Sequence, residues 1–262
     1  MQTITHIFRL IYRSYSNVRL STPSAIILAA VILGASHVTY GALLSGNTST
    51  QATMFKGRAI DESDLVTGNS KSKVVVVEYS DTECPYCAQL HPTIKKIQTE
   101  YASKVGFVYR YFPLTQIHPH AFEEARAIYC VGSVTGAQKR GDYINDMFNY
   151  KTAKQNMVLP EGGKEDLAYN LGVDKVKFKN CMASQESSDA INTSTQDGIA
   201  AGVEGTPATF ILVSTRKGYE VISFVGGARP YEYLKAAIEE ALSSEYRIHR
   251  SSFSVFNSAL IR

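Results

Sequence analysis

The chain has 262 residues, which is enough for one large domain or two small ones. Its composition is that of a globular protein, with 44% hydrophobic and 19% charged residues, no tryptophan and 16 tyrosines. Because the formal net charge is only +3 and no basic stripe alternates with aromatic residues, a nucleic-acid partner is not indicated.

Residues 25–44 form an apolar segment with no charged side chain, counting histidine as neutral. A helix of this length rises about 1.5 Å per residue and can cross a hydrocarbon core of about 30 Å. Residues 1–24 contain Arg9, Arg13 and Arg19 and no acidic residue. The distribution of positive charge predicts that 1–24 is cytoplasmic and that the rest of the chain faces the periplasm or exterior of a bacterium.

Three interpretations of 25–44 remain open. The favoured one is an uncleaved, single-pass signal anchor in the inner membrane. The second is a signal peptide cleaved after small residues near 34–36 or 39–41, and the third is an apolar helix buried in a soluble core. The first two export the cysteines to a compartment where disulfides persist. The polar residues 45–53 are interpreted as a linker.

The first half of the following domain shows the order strand, helix, strand. Residues 54–61 can supply a short edge strand. Val74–Tyr79 is a β-branched apolar run typical of a buried strand. A helix is predicted from about Pro85 to Tyr101, and another strand over Val105–Tyr111. This order predicts a right-handed βαβ unit.

The second half begins with a helical region and ends with two strands and a helix. Residues 120–200 have helical periodicity, with breaks predicted at Ser133–Gly141 and Pro160–Gly163. Strands are predicted at Thr209–Val213 and Tyr219–Phe224, joined by a hairpin turn. The last helix is predicted at 231–242. The tail 244–262 has no evident place in the core and could be disordered.

Four cysteines occur, at positions 84, 87, 130 and 181, and sequence alone permits three pairings. Cys84 and Cys87 lie where the first strand passes into its helix. Residues three apart at a helix start face the same side, so this pair can close a small disulfide. The unpaired N–H groups and the helix dipole favour an anion at Cys84, which predicts that its thiol is acidic and nucleophilic. Pro85 suits the first helical position.

Three stretches together resemble the DsbA family of thiol–disulfide oxidoreductases. They are VVVVEYSDTECPYC at 74–87, followed by His91-Pro92, GVEGTPATFIL at 202–212 and FVGGARPYEYLKAAI at 224–238. The resemblance implies an α/β, thioredoxin-like fold over 54–243, with βαβ and ββα halves, a helical subdomain inserted at about 115–203 and a preceding transmembrane helix.

The resemblance also implies roles for the site residues. Cys84 resembles the surface-exposed attacking cysteine and Cys87 the buried resolving cysteine. Pro207 takes the place of a cis-proline beside the disulfide, with Thr206 bordering the sulfurs. Glu78 lies where the family often has a buried acid that exchanges protons with the resolving cysteine. The alternative for Glu78 is a side chain that points outward and has no role.

Cys130 and Cys181 both fall in the predicted insertion. A structural disulfide between them is favoured, because export and an even cysteine count agree with it and some DsbA-like relatives carry a second bridge. Two buried free thiols are the alternative. His118 and His120 flank Pro119 and are interpreted as loop residues.

The expected function is that of an extracytoplasmic, membrane-anchored enzyme that introduces or exchanges disulfides in exported proteins through Cys84 and Cys87. Its partners would be exported proteins with cysteine thiols and a membrane or soluble protein that reoxidises it. No cofactor or metal is expected. The alternatives are a reductase or isomerase of the same fold, which Pro85-Tyr86 and Thr206 would also suit, and a protein that binds Cu(I) or zinc through thiolates.

Overall fold

The computed structural model describes residues 53–243. The basic segment 1–24, the predicted anchor 25–44, most of the linker and the tail 244–262 therefore lie outside the described residues. Across 53–243, no helix combines the length and apolar character that a membrane span requires.

The described residues build one five-stranded sheet in the order β1-β3-β2-β4-β5. Its strands are β1 (Thr67–Gly68), β2 (Val74–Ser80), β3 (Gly106–Tyr111), β4 (Ala208–Thr215) and β5 (Gly218–Gly226). β2 and β3 are parallel, and the other neighbouring pairs are antiparallel.

The pairing of the central strand β2 with its two neighbours determines which side chains share a face of the sheet. All seven of its residues are buried, as expected for a valine-rich strand covered on both faces. Glu78 on β2 pairs with Tyr109 of β3 on one side and with Thr209 of β4 on the other. Residues directly opposite each other in neighbouring strands share a face of the sheet, so these three polar side chains form one row.

Helices cover both faces of the sheet and form a separate helical subdomain. They are α1 (Pro85–Tyr101), α2 (Ala121–Thr135), α3 (Ala137–Lys154), α4 (Gly163–Asn170), α5 (Lys175–Ala183), α6 (Gln185–Ala201) and α7 (231–243). α1 and α7 pack on one face, where Leu90 and Ile94 of α1 and Ile238 of α7 bury against Val74 and Val76.

The inserted helices have a core of their own and also close the other face of the sheet. Ile128, Tyr143, Phe178 and Ile191 are fully buried within this core. On α6, an added Cβ at Gly198 would lie 2.5 Å from the ring of Phe112, so the helix can approach the end of β3 only because this residue is glycine.

The predicted α/β architecture is confirmed, with βαβ and ββα halves separated by the inserted helices. One local prediction was wrong. The break predicted at Ser133–Gly141 is a single residue long in the structure. Gly136 alone, at φ +91°, separates α2 from α3. Residues 54–61 contribute no regular strand, although Met54 forms an isolated bridge with Glu220 of β5.

Candidate active site

Cys84 and Cys87 lie at the start of α1, directly after the carboxyl end of β2. Cys84 is the N-cap, in an extended conformation with φ −76° and ψ 119°, and Pro85 takes the first helical position. Both cysteines are buried thiols, with 4% of Cys84 and none of Cys87 exposed to solvent, so the expected surface exposure of Cys84 was wrong. Tyr86 between them is exposed.

The loop before β4 reaches Cys84 from a distant part of the chain. The Thr206–Pro207 peptide bond is cis, and the Cys84 thiol donates to the carbonyl oxygen of Thr206 over 3.3 Å. The hydroxyl oxygen Oγ1 of Thr206 is buried and forms no hydrogen bond of normal geometry with any residue in 53–243. The fold thus brings together Cys84, Thr206 and Pro207.

The pKa of Cys84 is lowered to about 6. The main cause is hydrogen bonding from the side chain of Cys87, with further contributions from the Thr206 side chain and from the N–H groups of Cys87 and Tyr86, while burial opposes them. Cys84 is therefore largely a thiolate at neutral pH, which makes it both a nucleophile and a good leaving group.

Cys87 has the opposite behaviour. Burial raises its pKa well above the ordinary value for a thiol, and the neighbouring Cys84 and Glu78 act in the same direction. Cys87 therefore stays protonated and inert until a base removes its proton.

Glu78 of β2 is a titratable carboxyl near Cys87. Only 7% of the residue is exposed, so the alternative in which it points outward does not hold. Burial raises the pKa of its carboxyl to about 7, which lets it take up or release a proton near neutral pH. Glu78 also lines a cavity of about 240 Å³, together with His91, Tyr109 and Arg140. Burial lowers the pKa of His91 to about 4, which keeps the imidazole neutral.

Sequence reasoning missed the side chains that hold the turn before Cys84. Asp81 is buried and accepts hydrogen bonds from the N–H groups of Glu83 and Leu114, each at 2.8 Å. Its Oδ2 also accepts from Nδ1 of His118 at 2.8 Å. His118, interpreted from sequence only as a loop residue, therefore fastens the loop after β3 to the active-site turn.

A buried lysine fastens the same turn to the inserted helices. Lys151 of α3 is fully buried and donates to the carbonyl oxygen of Thr82 at 3.0 Å and to Oε2 of Glu124 at 2.5 Å. The Thr82 hydroxyl also donates to Glu124. Spacing along the chain gives no signal for this cluster, because its members come from the turn after β2, from α2 and from α3.

The other two cysteines are bonded to each other. Cys130 of α2 and Cys181 of α5 form a disulfide with Cα atoms 5.6 Å apart. Within 53–243, no cluster of three or more His, Cys, Asp or Glu side chains could hold a metal ion. At the active site, the thiolate ligands available to a soft metal are Cys84 and Cys87 alone.

Comparison with known proteins identifies the family. The sequence model described as thioredoxin matches residues 60–240, so the chain belongs to the thioredoxin family. It is 31% identical to Na⁺/H⁺ antiporter NhaA 3 of Salinispora tropica, over 69% of this chain but only 25% of the antiporter. The chain thus spans about a quarter of the length of that relative. It is also 27% identical to a Rickettsia bellii protein that carries the name of a protein-disulfide oxidoreductase, over 70% of this chain and 66% of that protein.

Solved structures confirm the resemblance to DsbA-like proteins at the level of the fold. Alpha-DsbA1 of Wolbachia pipientis superposes with a TM-score of 0.61, at 20% identity, covering 71% of this chain and 94% of that one. Pseudomonas aeruginosa DsbA2 gives 0.56 at 23% identity, covering 70% and 96%. A periplasmic thioredoxin-like protein of Salmonella enterica gives 0.56 at 23% identity, covering 70% and 92%.

Proposed function

We propose that this chain is an extracytoplasmic protein thiol–disulfide oxidoreductase that introduces or exchanges disulfides in exported proteins through Cys84 and Cys87. The observation that carries the proposal is the pairing of two unlike thiols beside the cis Thr206–Pro207 bond. Cys84 has a lowered pKa and Cys87 a raised one, which suits attack at one sulfur and resolution by the other. The names of the DsbA-like relatives support the same activity.

In the oxidising direction, a client thiolate attacks Sγ of Cys84 in the disulfide form of the enzyme. A client–Cys84 bond forms, the Cys84–Cys87 bond breaks, and its electron pair passes to Cys87, which takes up a proton with Glu78 as the donor. A second client thiolate then attacks the client sulfur and Cys84 leaves as a thiolate. The client loses two electrons and the enzyme gains them. A redox partner must then reoxidise the enzyme.

The acidity of Cys84 favours this direction over reduction. A stabilised thiolate stabilises the reduced enzyme, and a stabilised reduced form makes the disulfide a stronger oxidant. Pro85-Tyr86 between the cysteines is compatible with oxidases, reductases and isomerases alike, so the potential has to be measured.

We propose the inner membrane of a bacterium as the location, with 25–44 as a single anchor and 54–243 as the catalytic domain outside the cytoplasm. The apolar, uncharged sequence of 25–44 and the arginines before it support this topology. The Salmonella relative described as periplasmic and the Cys130–Cys181 disulfide agree with an oxidising compartment.

The activity is tested by measuring the reduction potential of the Cys84–Cys87 pair against glutathione. We expect a potential more oxidising than that of glutathione, and a strongly reducing value would contradict the oxidase. In cells, a Cys87→Ala variant is expected to accumulate mixed disulfides with exported proteins on Cys84. The matched Cys84→Ala/Cys87→Ala variant should accumulate none.

A further inference from the structure

One face of α1 lies over one face of β2, and the cavity beneath the active site shows how the two are aligned. Val76 and Glu78 of β2 line this cavity together with His91 and Ile94 of α1. Alternate residues of a strand share a face, as do residues three or four apart on a helix. Because α1 connects the parallel strands β2 and β3, it runs antiparallel to β2, so the layers continue toward the start of the helix.

The next layer toward the active site consists of Ser80 and Cys87. Ser80 lies two residues beyond Glu78 on β2, and Cys87 lies four residues before His91 on α1. Ser80 therefore shares the face of Glu78 on β2 and lies in the same layer as Cys87 of α1.

Three polar side chains lie around the hydroxyl of Ser80, namely those of Glu78, Cys87 and Tyr109. Ser80 is 2% exposed, and its Oγ is buried without a hydrogen bond of normal geometry to any described residue. It nevertheless lies close enough to lower the pKa of both Glu78 and Cys87 by hydrogen bonding. A buried hydroxyl with an unused donor and acceptor is costly, by about 1–3 kcal/mol, and can rotate toward either neighbour.

We propose that the Ser80 hydroxyl relays the proton between Cys87 and Glu78. The proposal rests on the proposed function and adds a residue to its mechanism. When Cys87 resolves a mixed disulfide, its thiol proton passes to Oγ of Ser80 while the hydroxyl proton passes to the Glu78 carboxylate. Sγ of Cys87 bonds to Sγ of Cys84, the Cys84–client bond breaks, and the client sulfur leaves with the electron pair. Reduction of the enzyme runs the same transfer backward.

Among the titratable groups around this cavity, Glu78 is the proton acceptor. Cys87 and His91 of α1 and Tyr109 of β3 face it, and Lys95 and Arg140 lie across the cavity. His91 is neutral with a pKa of about 4, and burial raises the pKa of Tyr109, so neither changes charge near pH 7.

The test follows resolution of a mixed disulfide by Cys87. Reduced full-length protein is mixed with a large excess of oxidised glutathione, and the glutathione adduct on Cys84 is counted by acid quench and mass spectrometry between pH 5 and 9. For Ser80→Ala we expect resolution near pH 7 to slow about 100-fold or more, the scale of lost general-base assistance. The loss should shrink toward pH 9, where hydroxide can deprotonate Cys87 directly.

Two further variants separate relay from structure. Thr209→Val removes another buried, unpartnered hydroxyl from the row of Glu78, on the neighbouring strand β4, and should resolve at the wild-type rate. Glu78→Gln should be as slow as Ser80→Ala, and combining the two should cause no further loss, because both act on one proton path. The pKa of Cys84 should stay near 6 in Ser80→Ala.

Two results would overturn the relay: wild-type resolution by Ser80→Ala beside a slow Glu78→Gln, or a double variant whose loss is the product of the single losses. Equal slowing by Thr209→Val would also overturn it, because general disturbance around Glu78 would then suffice. A wild-type protein that never forms or resolves the adduct would instead overturn the proposed oxidoreductase function itself.

Discussion

At the scale of single residues, the site depends on unequal environments for chemically equal groups. Two thiols three positions apart differ in acidity because one lies at a helix N-terminus beside Thr206 and the other is sealed in the core. The acidity of Cys84 was predictable in part, since a cysteine before Pro85 and an apolar helix indicates an N-cap. The position of Thr206 beside Cys84 could be expected only from the family resemblance, because that residue is 122 positions away.

Thr206→Val should make the Cys84 thiol about tenfold less acidic, because a hydrogen bond to a charged group contributes about 1.5 kcal/mol or more. The measurement is thiolate absorbance at 240 nm against pH. Thr206→Ser keeps the hydroxyl and should keep the pKa near 6. An unchanged pKa in Thr206→Val would show that the backbone N–H groups and Cys87 stabilise the thiolate without this hydroxyl.

Burial of Glu78 should make stability depend on pH. Its pKa is about 7 in the folded protein against 4.5 for an exposed carboxyl, so the folded state holds the proton more tightly. This tighter proton binding stabilises the folded state fully below pH 4.5, and the stabilisation is lost as the pH rises to about 7. Glu78→Gln should therefore match the wild type at pH 4 and exceed its free energy of unfolding by about 3 kcal/mol at pH 8.

Urea unfolding of the two reduced proteins at both pH values measures this difference. A variant less stable than the wild type at pH 8 would show that the ionised carboxylate is stabilised, contrary to the effect of burial.

At the scale of elements, local patterns predicted the pieces that surround the cysteines. Val74–Tyr79 and Val105–Tyr111 match β2 and β3 within one residue, because β-branched and aromatic runs mark buried strands. α1 begins at Pro85 as predicted, since proline fixes the first helical position. The cis bond at Pro207 could be expected only from the family, because no local pattern separates it from a trans turn.

The Cys130–Cys181 disulfide should stabilise the inserted helices. It closes a loop with a sequence separation of 51, which corresponds to about 4 kcal/mol in the loop-entropy description. Cys130→Ala/Cys181→Ala should lower the free energy of unfolding by about 2–4 kcal/mol in urea. Thiol counting on denatured, unreduced Cys84→Ser/Cys87→Ser checks the bridge independently, and two free thiols would contradict it.

At the scale of the whole described domain, the helical insertion and the sheet meet at the active-site turn. Asp81, Thr82 and Glu83 each bond to a residue that follows β3, through His118, Glu124 and the N–H group of His120. These pairings were beyond sequence reasoning, since each joins residues more than 30 positions apart. The position of Cys84 therefore depends on how the inserted helices pack against the turn that precedes it.

Lys151→Met should destabilise the domain by about 3–5 kcal/mol, because it leaves the buried carboxyl of Glu124 without its partner. Adding Glu124→Gln should restore much of the loss by removing the uncompensated charge. Lys235→Met breaks an exposed ion pair with Glu100 and should change stability little. Urea unfolding compares all three. A Lys151→Met variant as stable as Lys235→Met would show that the buried pair does not hold the two parts together.

The second disulfide also has a consequence for how the protein is made. Cys130 is fully buried, and its bond to Cys181 joins α2 to α5 within the inserted helices. The chain proposed to exchange disulfides in other proteins thus carries a structural disulfide of its own. Recombinant chain made in a reducing cytosol should lack the bridge, whereas secretion into an oxidising compartment, or refolding with a glutathione redox buffer, should supply it.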